Sequence, residues 1–414
     1  MGIERAAVEA LAASGMTMSI AESCTGGLIA ARLAGVPGAS AVLVSAAVPY
    51  SNEAKTAMLG VPGDLVRARG AVSAEVAAAM AEGARSASGA DIGLSATCIA
   101  GPGGGTGAKP VGLSFVALSD GRETDIRRLV LQGSRAWVRE QLVEEALGSM
   151  LDRLGAPRPT LMGAVLVVVA DEVLQGHTAD TNTGEIARAL FAAGMPLRSV
   201  LTVPDDVDAI ADALVGAARG VRMVLVCGGL GPTHDDRTME AASLFLGVPL
   251  EVNPGARRMV ERRLSEGHAA GIVRDPSMNA GRLKMATLPR GAAVLENDVG
   301  YGPGCVASTA GRAVVLLPGV PSELRHMLGR HVVPMVTGSP GWTTAANHVE
   351  EMLYRGSESA IAPFLASLSE DFPDVAVGSY PDLESYSTTI RIVGPEASAR
   401  RAAARLRGEL AAKG

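Results

Sequence analysis

Short apolar runs of strand length alternate with stretches of helical periodicity along most of this chain, and Pro- and Gly-rich breaks interrupt the alternation twice. That order constrains the fold most, because strands separated by helices pair in parallel through right-handed crossovers and build α/β layers. The first alternation predicts strands over 16–21, 41–48, 92–97 and 112–118 with helices over 3–14, 26–33, 52–59, 73–88 and 134–153. Ala156-Pro157-Arg158-Pro159 breaks it, since proline resists both helix and central strand. A second alternation predicts strands over 162–169, 197–203, 222–227 and 313–317, with helices over 182–193, 207–218, 237–246 and 321–330. Beyond Gly338-Ser339-Pro340-Gly341 the tail reads strand, helix 357–368, strands 374–378 and 386–393, and helix 396–412, a small α+β module. The expected domains are 1–156, 160–338 and 343–414, the first two three-layer α/β units; 414 residues exceed what one core serves.

Composition narrows the function classes. A net charge of −6 with only 2 Trp, 5 Tyr and 5 Phe gives neither the electrostatic footprint nor the stacking surface that a nucleic acid needs, so none is expected as a partner. Cys24, Cys98, Cys227 and Cys305 show neither metal-binding spacing nor the density of a secreted scaffold, and read as reduced thiols. The first residues are partly acidic and lack a basic start with an apolar core, so no signal peptide is indicated. The longest apolar run, 161–170, is about half of a membrane span, and a cytoplasmic location without membrane contact is expected.

Three polar clusters interrupt the apolar segments of the first module, at loops where α/β folds collect ligands. They are Glu22-Ser23-Cys24-Thr25-Gly26-Gly27, the stretch from Gly38-Ala39-Ser40 to Tyr50-Ser51-Asn52-Glu53-Ala54-Lys55, and the glycine-rich run from Ala100 to Gly107. Thr25 is placed to cap the next helix, whose free amides and positive dipole end would favour an anion or oxyanion. Amide hydrolysis needs a nucleophile with a neighbour that takes its proton. The module has no histidine, so Lys55 is the candidate base, its ammonium losing basicity by burial as an arginine could not. Each element also has a bland reading as a helix cap, a solvated lysine or a loose loop.

Together, AESCTGG, YSNEAK and IAGPGGG followed by KPVG resemble the CinA C-terminal domain, the nicotinamide mononucleotide deamidase (PncC) family, over residues 1–155. The resemblance implies hydrolysis of nicotinamide mononucleotide to nicotinic acid mononucleotide and ammonia without a cofactor. It implies a Ser40/Lys55 dyad assisted by Ser23 and Tyr50, with Thr25, Gly26 and Gly101 along the substrate. Arg135 or Arg139 would hold the phosphate through a guanidinium fork, or sit in a surface ion pair. Ala46 and Cys98 stand where that family usually has glycine.

The second module carries Asp171-Glu172 with Asp180-Thr181-Asn182, then the run from Cys227 to Thr238, and Leu317-Pro318-Gly319 further on. Strand, glycine turn and helix let backbone amides approach phosphate, and carboxylates beside such a turn suit a bridging divalent cation, or else Asp235 and Asp236 merely cap the helix. The pattern resembles the molybdopterin-binding (MoaB/MogA-like) domain of CinA proteins, whose relatives include metal-dependent ADP-ribose pyrophosphatases. That resemblance implies a divalent ion (Mg, Mn or Co) at Asp235, Asp236 and Glu172, phosphate lined by Gly229 and Thr233, and orientation by Asn182. Ala170 replaces a usual glycine, and the stretch from Arg282 to Ala286, Met285 included, lacks customary Asn and Gln. The tail resembles a KH-type module. The CinA modules thus stand in permuted order, in a homo-oligomer expected to act on nicotinamide mononucleotide and ADP-ribose; a non-catalytic molybdopterin- or nucleotide-binding protein is the alternative.

Overall fold

The computed structural model describes residues 2–343, 348–382 and 384–413. The chain divides into two compact units, one of residues 1–179 and 200–323, the other of residues 180–199 and 324–414.

In the first unit, strands β1 (Met18–Glu22), β2 (Leu43–Ala47), β3 (Ile92–Cys98), β4 (Leu113–Ser119) and β5 (Thr124–Val130) form a sheet of order β2-β1-β3-β4-β5. β1 runs parallel to β2 and β3, and β4 and β5 add antiparallel. Strand alternation sends Ile20, Leu94 and Val116 to one face and Ala21, Phe115 and Ala117 to the other, and each face is covered by helices. Ile20 and Leu94 pack with Leu11, Leu142 and Val143 of helices Ile3–Ser14 and Arg135–Arg153. Ala21 packs with Val76 and Met80 of helix Ala74–Ser88.

The second sheet has the order β11-β12-β13-β8-β6-β7, from β6 (Ala164–Val169), β7 (Leu197–Val203), β8 (Met223–Cys227), β11 (Ala293–Leu295), β12 (Gly304–Thr309) and β13 (Arg312–Leu317). β6, β8 and β13 are parallel and buried along their whole length, as their runs of Val and Leu require. β11 and β12 extend it antiparallel, and β9 (Leu250–Val252) with β10 (Thr287–Pro289) makes a separate two-stranded ladder. Both sheets are therefore mixed α/β layers.

Helix Arg135–Arg153 ties the two modules of this unit together. Its Trp137 is fully buried in the second module's core, with Nε1 donating to Thr309 Oγ1 at 2.9 Å and the ring 5.3 Å from that of Phe245. Arg312 stacks 5.1 Å from the Trp137 ring and holds the Glu144 carboxylate at 2.6 and 2.8 Å.

In the other unit β14 (His348–Tyr354), β15 (Ala376–Asp382) and β16 (Ser387–Gly394) form an antiparallel sheet of order β14-β16-β15. Ile390 and Ile392 pack there with Ile361 and Leu365 of helix Glu358–Asp371 and with Ala399, Ala402 and Leu406 of helix Glu396–Lys413.

Candidate functional site

β1 ends at Glu22 and turns through Ser23 to Gly27, with Gly26 (φ 62°) and Gly27 (φ 91°) in the left-handed region that a tight elbow requires. The next helix is Leu28–Ala34, shorter than the expected 26–33, and Thr25 does not cap it. Glu22 does: its fully buried carboxylate accepts from the amides of Gly27 (3.0 Å), Ile29 (3.1 Å) and Ala30 (2.8 Å). The helix's positive end is therefore occupied by the protein's own anion, which corrects the expectation of a free anion site there. The Thr25 hydroxyl is buried without a hydrogen-bond partner among the described residues.

Lys55 lies in helix Asn52–Leu59, which Ser51 caps by accepting from Ala54 N at 3.1 Å. It is 1% exposed, and its Nζ lies 2.8 Å from Pro49 O, 3.3 Å from Tyr50 O and 3.2 Å from Ser23 Oγ. Burial pushes its pKa below the ordinary lysine value, and the Glu53 charge only partly restores it. A neutral amine keeps two N–H donors and one lone pair. The two carbonyls can take both donors, which leaves the lone pair for the Ser23 hydroxyl.

Ser40 is not at this place. It is exposed in the turn Ala39–Ala41 before β2, and because β1 and β2 run parallel, that turn lies at the end of the sheet opposite the elbow after β1. The expected Ser40/Lys55 pair is corrected accordingly: the serine brought to Lys55 is Ser23.

The other residues of the first candidate site converge on the elbow. Arg135 donates from Nη1 to Gly101 O and from Nη2 to Tyr50 Oη, both at 3.0 Å, and Tyr50 is 61% exposed. Arg139, one turn further along the helix, donates to Thr25 O at 2.6 Å. Neither arginine is in a surface ion pair with a carboxylate among the described contacts; Arg135 bridges the Tyr50 and Gly101 loops, and Arg139 fastens the elbow at Thr25 O.

Cys24 and Cys98 are joined as a disulfide with Cα atoms 5.6 Å apart, while Cys227 and Cys305 are free and buried. The reduced-thiol reading is corrected for the first pair. The cause is register: Glu22 pairs with Ala96 across the parallel strands β1 and β3, so the residues two further along come side by side despite a separation of 74 in sequence. Glu22 as a cap and the Cys24–Cys98 bridge are the two features that sequence reasoning missed at this site.

In the second module, β8 runs into Gly228 (φ 110°) and Gly229 (φ 65°), then helix Thr238–Leu246. A Cβ on Gly228 would come within 2.2 Å of Val169 O, so only glycine lets the turn lie against β6. Thr238 Oγ1 donates to Gly228 O at 2.8 Å and fastens the helix to the turn. Thr233 lines no open cradle: its amide (2.8 Å) and hydroxyl both donate to the Asp236 carboxylate, and Lys284 donates to its carbonyl. Asp235 is largely exposed.

Asp205, which the sequence did not single out, accepts from Asp171 N at 3.0 Å; burial raises its pKa, helped by the charges of Asp171, Glu172 and Asp235. No three His, Cys, Asp or Glu side chains gather at metal-ligating spacing among the described residues. Asp235, Asp236 and Glu172, the residues expected to hold a cation, are therefore not brought together as a ligand set among the described residues, and Asp236 is used within its own loop. Asn182 opens helix Asn182–Ala192 in the other compact unit.

Fold and site define a multidomain α/β protein that joins a buried lysine–serine elbow to a strand–glycine-turn–helix module. Residues 2–154 match the CinA C-terminal domain, 165–338 the molybdopterin-binding domain, and 347–414 the FAD synthase middle domain. A protein of Aeropyrum pernix is 37% identical over 220 residues, 53% of this chain and 78% of its own. A CinA-like protein of Citrifermentans bemidjiense is 56% identical over 126 residues, 30% of each chain. The crystal structure of the competence/damage inducible protein CihA from Agrobacterium tumefaciens is 39% identical over 37% of this chain and 95% of that one, with a TM-score of 0.36. By these matches the chain is similar to CinA proteins over residues 2–154 and to molybdopterin-binding domains over residues 165–338. Its third module matches the FAD synthase middle domain, which corrects the KH-type expectation. Among the described residues no helix is long and apolar enough to cross a membrane.

Proposed function

We propose that the first module is an amidohydrolase acting on the carboxamide of nicotinamide mononucleotide, with Ser23 as nucleophile and Lys55 as general base. The observation that carries this reading is the buried Lys55 Nζ 3.2 Å from Ser23 Oγ. In the neutral form the Lys55 lone pair takes the Ser23 proton as Oγ attacks the carboxamide carbon. The lysine then protonates the leaving nitrogen, which departs as ammonia, and the nicotinoyl ester on Ser23 is hydrolysed by water that gives its proton to Lys55. Tyr50 and Arg135, linked to each other and partly open to solvent, are suited to meet the ribose phosphate. The test is ammonia release from nicotinamide mononucleotide by the full chain. Ser23→Ala is expected to lower the rate by at least about 1,000-fold, and Ser40→Ala to leave it near that of the parent. Loss of activity in Ser40→Ala with retention in Ser23→Ala would overturn the assignment.

For the second module we propose binding of a phosphate-bearing ligand without turnover. The self-satisfied Thr233–Asp236 loop favours this over metal-dependent cleavage of ADP-ribose.

A further inference from the structure

We propose that Cys24 and Cys98 are positioning residues for the Ser23 site and make it responsive to thiol–disulfide exchange, an inference that rests on the amidohydrolase reading above. Cys24 directly follows Ser23, and Cys98 closes β3 three residues before Gly101, whose carbonyl receives Arg135. The bridge therefore ties the nucleophile's elbow to the loop that faces it.

The remaining restraints on the elbow are non-covalent. Glu22 holds the helix that follows, Ser23 N donates to Ala96 O at 3.1 Å, and Arg139 reaches Thr25 O. These hold the elbow when the bridge opens, but among the described residues none of them is a direct link from Cys24 to the 99–107 segment. The 3.2 Å approach of Ser23 to Lys55 belongs to the bridged state. Opening the bridge enlarges the set of elbow positions, and misplacement of a nucleophile by about 1 Å costs up to about 100-fold in rate. The reduced form is accordingly the slower one.

The exchange balances with a dithiol as co-reactant. Its thiolate attacks one cysteine sulfur and the Cys24–Cys98 bond breaks; the reagent's second thiolate then attacks the reagent sulfur of the mixed disulfide and releases that cysteine as a thiolate. The reagent is oxidised to a disulfide while the two cysteines take up two electrons and two protons. Each cysteine retains 8% exposure, so exchange proceeds as the elbow opens.

The experiment uses the full chain purified without thiols, the same sample after dithiothreitol, and a Cys24→Ser, Cys98→Ser double variant. Peptide mapping is expected to find the two cysteines linked before treatment and separately alkylated after it. Amide hydrogen exchange over 19–27 and 99–107 should quicken on reduction in the parent only, and the double variant should resemble the reduced parent. The kcat for nicotinamide mononucleotide should fall about tenfold on reduction with KM little changed, and return on reoxidation. Absence of the linked peptide overturns the proposal, as does a bridge whose reduction changes neither exchange nor kcat. If neither form releases ammonia, the amidohydrolase reading falls, and the exchange comparison alone decides whether the bridge holds the elbow.

Discussion

The elbow after β1 and the loop after β8 follow one local recipe, a buried strand, left-handed glycines and a helix, and they use it in opposite ways. After β8 the polar side chains satisfy one another: Asp236 takes both donors of Thr233, and Thr238 closes on Gly228 O. After β1 the helix amides are taken by Glu22, a residue behind the turn, and this leaves Ser23 to meet Lys55 from another helix. Glycine turns alone do not make a site. What separates the two is whether a reactive group is left with a partner whose own bonding is incomplete.

The largest effect that can break this comparison is Lys55→Arg. A guanidinium stays charged at every accessible pH and has no lone pair to offer, so it preserves a cation and removes the base. Amide hydrolysis is expected to fall by at least about 1,000-fold. In the parent, kcat/KM should rise with pH as the lysine loses its proton, with the midpoint of that limb below the ordinary lysine value because burial disfavours the ammonium. Retained activity in Lys55→Arg, or a rate that falls as pH rises through that limb, would show that Lys55 only supplies charge.

A smaller effect is expected from Glu22→Gln. The amide side chain keeps one oxygen acceptor for three backbone donors and brings two N–H groups of its own into a fully buried position. Loss of the charge-assisted bonds should cost about 2–3 kcal/mol of stability, measured by urea unfolding. If the variant is as stable as the parent, the helix end is not held by Glu22, and the contrast between the two loops loses its first half.

Much of the architecture was legible because buried strands and amphipathic helices write their periods into the sequence. β3, β6 and β8 fall within a residue or two of their expected spans. β5 was not legible: it is an outer strand with alternating exposure, and Thr124, Asp125, Arg127 and Arg128 hide the apolar signal. Helix Pro254–Ala269 also escaped, although Asn253 as cap and Pro254 in the first turn announce it. At the site, residue types were readable and partners were not. Lys55 stood out, but the choice between Ser23 and Ser40 depends on which end of a parallel sheet each turn occupies, and the Cys24–Cys98 pairing on the β1–β3 register. Neither is a local property of the chain.

The smallest effect tests the other half of the comparison. In Asp236→Asn one oxygen remains to accept from Thr233 while the charge that strengthens both bonds is lost. Because the loop is exposed, the expected cost is about 1 kcal/mol or less, with faster amide exchange at Thr233 and no change in amide hydrolysis by the first module. The affinity of the second module for an added nucleotide or for molybdopterin, followed by calorimetry, should change less than threefold, since the carboxylate serves the loop and not the ligand. A much larger loss of affinity at unchanged stability would mean that Asp236 leaves Thr233 to engage the ligand, and the loop after β8 would then belong with the elbow after β1 as a place where reactive groups are held in reserve.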